Sequence, residues 1–266
     1  MDYISANIGR AYQELGNDPR YQHFVRIPDR IIQCIDYFGI TCNRDATKAR
    51  LKSYYLFIGV VDDAIDSGRS DAGPMTLEYL GTPSPVLNEE ISRSSVKLIT
   101  AVLKSSISDQ VYPLMIDKLR RLYDEVINER GATSINSYIA HRKSVGSLTA
   151  ELSFILIQPN ISGDHQKLLR FMQQVGAIGC LVDSLIDLDD DRRLGLLGFK
   201  PRMRDYAKLI ICIVNSGLRV SLRYPRLGGL FIRAIADNVA DRFRMERKPQ
   251  QRSFLSDRKD EAASVA

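Results

Sequence analysis

Two apolar octets in this chain each run straight into a cluster of aspartates, and that junction constrains the fold more than any other feature. Tyr54-Tyr55-Leu56-Phe57-Ile58-Gly59-Val60-Val61 leads into Asp62-Asp63-Ala64-Ile65-Asp66. Val175-Gly176-Ala177-Ile178-Gly179-Cys180-Leu181-Val182 leads into Asp183-Ser184-Leu185-Ile186-Asp187, and the acids continue at Asp189, Asp190 and Asp191. Octets of this kind predict two largely buried helices. A carboxylate carried into such surroundings costs several kcal/mol unless a cation neutralises it, and two clusters sharing one cavity repel each other. Bound divalent metal is the simplest remedy.

Helix geometry groups the acids. Residues i and i+4 share a face at 3.6 residues per turn, so Asp62 stacks under Asp66 while Asp63 points about 100° away. Asp183, Asp187 and Asp191 form a second ladder. Hard oxygen donors with no histidine or thiolate nearby in sequence suit Mg2+ or Mn2+ rather than zinc or copper, and Mg2+ commonly bridges a few carboxylates to substrate phosphates. A calcium loop starting at Asp187 is excluded, because its sixth position is Arg192 rather than glycine and its twelfth is Gly198 rather than glutamate.

Apolar residues recur at helical spacing around 29–40, 46–62, 91–107, 111–129, 134–157, 165–188, 204–222 and 226–243, with little period-two alternation. Glycine- and proline-bearing loops separate them at 67–74, 81–85, 158–164 and 195–201, none resembling an interdomain linker. The pattern predicts an all-α chain with one helical domain over 1–243. The charged segment 244–266, poor in apolar residues, is expected to be disordered.

The remaining chemistry is mostly excluded. Cys34, Cys42, Cys180 and Cys212 form no CxxC pair, and the first residues lack the apolar core of a secretory signal, so a cytoplasmic protein with reduced thiols is expected. No apolar stretch approaches the roughly 20 residues of a membrane span; a greasy substrate leaves peripheral contact with a membrane open. The net charge of +5 is partly concentrated in the tail and lacks the basic-aromatic interleaving of a nucleic-acid binder. His23, His141 and His165 lie far apart, and neither a GxSxG elbow nor a glycine-rich phosphate loop is present. The oligomeric state is not readable.

These segments resemble the squalene/phytoene synthases. Val60 to Gly68 is similar to that family's first aspartate motif, and Asp183 to Gly195 to its second. Tyr138-Ile139-Ala140-His141-Arg142-Lys143-Ser144-Val145-Gly146 is similar to the tyrosine-to-Val-Gly helix between them, and Ala207 to Val239, with Tyr224-Pro225, to the helical region that follows. The resemblance covers about residues 30 to 240. It implies the class I isoprenoid synthase fold, a helical bundle around a deep apolar cavity with both motifs at its mouth. It further implies Asp62, Asp66, Asp183 and Asp187 as catalytic metal-bridging carboxylates, supported by Asp63 and Asp191. Arg142, Lys143, Arg192 and Arg193 would bind diphosphate, and Tyr55 and Tyr138, with Tyr54 and Phe57 nearby, would face substrate.

Some residues depart from that family. Lys143-Ser144 stands where Ala-Gly is usual, Asp183 replaces an asparagine, no Ser-Phe signature appears near Ile35-Asp36-Tyr37, and the Asp183/Asp187/Asp191 spacing matches the second metal motif of terpene cyclases. The leading expectation is squalene/phytoene-type head-to-head condensation of two C15 or C20 prenyl diphosphates with diphosphate release; the alternatives are cyclisation of one, or a non-catalytic relative that keeps the fold.

Overall fold

The side chain of Asn43 accepts a hydrogen bond from the Ala46 amide at 3.2 Å and starts the helix that ends in the first aspartate cluster. That helix stops at Gly68, whose φ of 92° only glycine adopts easily; there the Ser67, Gly68 and Arg69 amides close onto the carbonyls of Asp63, Ile65 and Ala64. Ser94 and Ser134 cap two further helices in the same way as Asn43.

The computed structural model describes residues 3–69, 71–82, 94–193, 195, 197–229, 232, 233 and 236. Among them the helices are α1 (Tyr3–Asn17), α2 (Gln22–Tyr37), α3 (Arg44–Asp66), α4 (Ala72–Gly81), α5 (Ser95–Ser106), α6 (Tyr112–Arg130), α7 (Ile135–Ile157), α8 (Gln166–Arg193) and α9 (Met203–Arg223). The fold is all-α. Among the described residues the one strand pair is a clip of two residues a side, Thr41–Cys42 against Ile161–Ser162, which ties the start of α3 to the α7–α8 connection. Most of the helical run expected over 226–243, and the whole tail expected from Arg244, lie outside the described residues.

One hydrophobic cluster takes residues from α2 through α9. Leu51, Tyr54, Leu56, Ile99, Met115, Leu152 and Leu156 are fully enclosed, and the Tyr54 hydroxyl donates to the Thr149 carbonyl at 2.9 Å. α7 and α8 run antiparallel at backbone contact. A Cβ placed on Gly146 would lie 2.2 Å from the Gly176 carbonyl oxygen, and one on Gly176 would lie 2.3 Å from that of Gly146. Side chains of any size would push the two helices apart.

Within α8, Gln166–Asp189 is long and apolar enough to cross a membrane by length and composition, whereas the sequence led us to expect no such stretch. Interruption by Arg170, Gln173, Gln174 and Asp183 hides the segment from a search for unbroken apolar runs. Leu168, Phe171, Met172, Ile178, Leu181 and Val182 of this segment are buried in the protein core.

Candidate active site

Five helices enclose a cavity of about 370 Å³. α3 contributes Tyr55, Ile58, Asp62 and Asp66; α8 contributes Phe171, Met172, Val175, Asp183, Asp187 and Asp191. In both helices the wall changes from apolar to acidic along the chain. α7 runs the other way and brings Arg142 first, then Val145, Thr149 and Ala150. Charge therefore gathers at one end of the cavity and apolar surface at the other. The charged end opens to solvent, since Asp62 and Asp66 are exposed and Asp183, Asp187 and Asp191 half-buried. The octet before Asp62 is largely buried as expected, but its carboxylates have already left the core for the cavity mouth.

The acids on the two helices feel one another. Burial raises the Asp66 carboxyl above the ordinary range, Arg130 counters it, and the charges of Asp191 and Asp187 push it further up. Burial and the neighbouring Asp187 raise Asp191 to about 6. Glu129, at the end of α6, is also raised by burial, with Asp62 adding to the shift. Charge from α3 thus reaches α6 and α8 across the cavity.

Arg142 and Arg130 are among the groups that hold this negative charge. Arg142 donates from Nε to Ser184 Oγ at 2.6 Å, from Nη1 to both Glu129 oxygens at 3.2 and 3.3 Å, and from Nη2 to the Cys180 carbonyl at 3.2 Å. It thereby joins α6, α7 and α8 at the charged end. Arg130 donates to Asp66 at 2.8 Å. On the remaining side α2 presents His23, Arg26 and Arg30, one above another, to the same cavity.

Not every expected site residue arrives there. Asp63, expected as a metal support, is turned out of the wall: it accepts from Tyr21 Oη at 2.8 Å and Arg20 Nη1 at 3.1 Å, as its 100° offset from Asp62 allows. Lys143 is outside the wall, one residue round α7 from Arg142. Arg192 and Arg193, expected on diphosphate, are exposed in the last turn of α8, where cations complement the helix dipole. Asp189 faces α9, accepting from Tyr206 Oη at 2.6 Å. Tyr138 is buried against Phe199 and does not reach the cavity; Tyr54 and Phe57 are likewise core. Tyr55 does line it, with its hydroxyl on Ser153 Oγ at 3.3 Å.

Glu129, Arg130 and the α2 ladder escaped the sequence reading. Only the ladder left a legible trace, as His23, Arg26 and Arg30 stand at i, i+3 and i+7 on a helix otherwise apolar on that side.

The donor set fits a hard divalent cation. Cys34 and Cys180 also line the cavity, where burial pushes both thiols up to about 12. Among the described residues no group of three or more His, Cys, Asp or Glu side chains is assembled to hold a metal ion. Mg2+ seldom uses an all-protein cage; one or two carboxylates with water and substrate phosphate oxygens are its usual shell. Asp62, Asp66, Asp183, Asp187 and Asp191 are placed to supply such carboxylates.

No family model matches the chain, and neither a curated protein nor a solved structure matches it.

Proposed function

We propose that this protein is a Mg2+-dependent class I isoprenoid synthase, which ionises an allylic prenyl diphosphate and forms a carbon–carbon bond in an apolar cavity. One observation carries the reading: aspartate clusters from α3 and α8 line a single cavity that is acidic at one end and apolar at the other. Bound Mg2+, or Mn2+, would supply Lewis acidity to the departing diphosphate.

The chain's own residues account for the rest. Asp62, Asp66, Asp183 and Asp187, with Asp191, would hold cations at the mouth, and Arg142 and Arg130 fix Glu129 and Asp66 beside the place a leaving group would occupy. Tyr55 and Phe171 offer aromatic surface to an allylic cation. Val145, Met172 and Val175 exclude the water that would quench it.

Squalene/phytoene-type condensation needs two chains in the cavity; cyclisation needs one. A volume of about 370 Å³ is near the small end of cavities that hold one drug-sized ligand, roughly 300–1,000 Å³. It favours one chain, as does the presence of Asp191 beside Asp183 and Asp187 in the wall. Purified protein incubated with Mg2+ and C10, C15 or C20 diphosphate, followed by organic extraction and mass spectrometry, separates the outcomes. A product with the carbon number of one substrate supports cyclisation, doubled carbon number supports condensation, and intact substrate throughout rejects both.

A further inference from the structure

Among the described residues the outer face of α9 is apolar and uncovered. Its inner side, with Asp205, Leu209 and Val220, is buried. Its outer side carries Met203, Ile210, Ile211, Val214, Leu218 and Leu222, whose exposure ranges from 45% to 83%. At 100° per residue these six fall within an arc of about 120°. Scattered surface leucines are ordinary, but a stripe this continuous marks a contact surface.

Charge identifies the partner. Along one edge of the stripe stand Arg204, Lys208, Arg219 and Arg223, all exposed. The helix has one carboxylate, Asp205, which is buried and accepts from the Arg202 amide at 2.9 Å. A second copy packed antiparallel across the stripe would set these cations against cations, and the helix offers no exposed carboxylate to receive them in either orientation. An anionic bilayer supplies what both halves of the face lack: an acyl boundary for the stripe and headgroup charge for its edge.

We propose that α9 docks this protein on anionic membrane surfaces, lying in the interface with its apolar stripe inserted and its basic edge among the headgroups. The surface is separate from the cavity, and the proposal stands whether or not the protein turns over a prenyl diphosphate.

Co-sedimentation of the full-length protein with vesicles of phosphatidylcholine, with and without phosphatidylserine, tests it. Binding should be at least about tenfold tighter with phosphatidylserine and should weaken as salt screens the cations. Replacing Arg204, Lys208 and Arg219 together by glutamine should weaken it about fivefold per cation removed. Ile211→Glu with Leu218→Glu should abolish it while leaving the circular dichroism spectrum unchanged, since both side chains are solvent-facing. Absence of vesicle binding, or equal binding by the double variant, overturns the proposal. So does light scattering that shows a dimer for wild type and a monomer for the double variant, with no lipid binding by either.

Discussion

Gly146 and Gly176 meet backbone to backbone, so close that a methyl group on either would lie 2.2 or 2.3 Å from the other's carbonyl oxygen. One turn before Gly146 on α7 and one turn after Gly176 on α8, this approach sets Arg142 against Cys180, and through Ser184 and Glu129 it locates the charged end of the cavity. Fold and site are therefore coupled at one crossing.

Gly146→Ala and Gly176→Ala should each destabilise the protein by about 2–4 kcal/mol, because overpacking meets backbone that cannot swing aside. Thermal melts should fall by several degrees, since about 1 kcal/mol moves Tm by roughly 2–4 °C at this size. Gly179→Ala, where an added Cβ meets nothing within 4 Å, is the control and should leave the melt nearly unchanged.

Asp62→Ala and Asp187→Ala should lower diphosphate release by about a thousandfold or more, corresponding to roughly 4 kcal/mol of transition-state stabilisation. Metal-free, each variant should melt at or above wild type, because removing one carboxylate relieves repulsion at the cavity mouth. Addition of Mg2+ with diphosphate should raise Tm appreciably only for wild type, as measured by scanning fluorimetry.

The legible part of this molecule was what local periodicity encodes. The all-α class, the helices bearing Tyr54–Asp66 and Val175–Asp191, and the ladders Asp62/Asp66 and Asp183/Asp187/Asp191 all follow from 3.6-residue spacing, and these ladders do meet at one cavity. Spacing also predicts that Asp63 diverges from Asp62. What it cannot supply is the partner that captures Asp63, since Tyr21 and Arg20 lie in a turn some forty positions earlier. Lys143, implied by the resemblance, and Arg192 and Arg193, which follow the second aspartate cluster, stand one or two residues from Arg142 and Asp191, and so small a step along a helix is enough to turn a side chain from the cavity. Glu129 and Arg130 reach the site through tertiary packing of α6 alone.

Asp191 gives the site a pH signature. Its carboxyl titrates near 6 in the fold, above the ordinary value of about 4 expected for the unfolded chain. The folded protein therefore binds an extra proton between these values, so stability should fall as pH rises from about 4 to 6 and stay low above it. The shift corresponds to at most about 3 kcal/mol, and partial exposure of the group reduces it to roughly 1 kcal/mol. Urea titrations in chelator at pH 5 and pH 7 should show wild type losing about half of this increment, and Asp191→Asn, which has no carboxyl to titrate at that position, losing less.

Arg142 and Glu129 form a mostly buried pair. Arg142→Leu alone should cost about 3–5 kcal/mol by stranding the Glu129 carboxylate, while Arg142→Leu with Glu129→Leu should recover a large part of the loss. A double-mutant cycle in urea measures the coupling. Equal losses in the single and double variants would mean that the ion pair does not organise this end of the cavity.

Release of inorganic diphosphate from C15 prenyl diphosphate, followed with and without Mg2+ for wild type and Asp62→Ala, tests the central claim most directly. The account predicts steady release by wild type that stops in chelator, and release at least about a thousandfold slower from the variant. No release from any C10 to C20 diphosphate, or release that neither chelation nor the substitution affects, would contradict it.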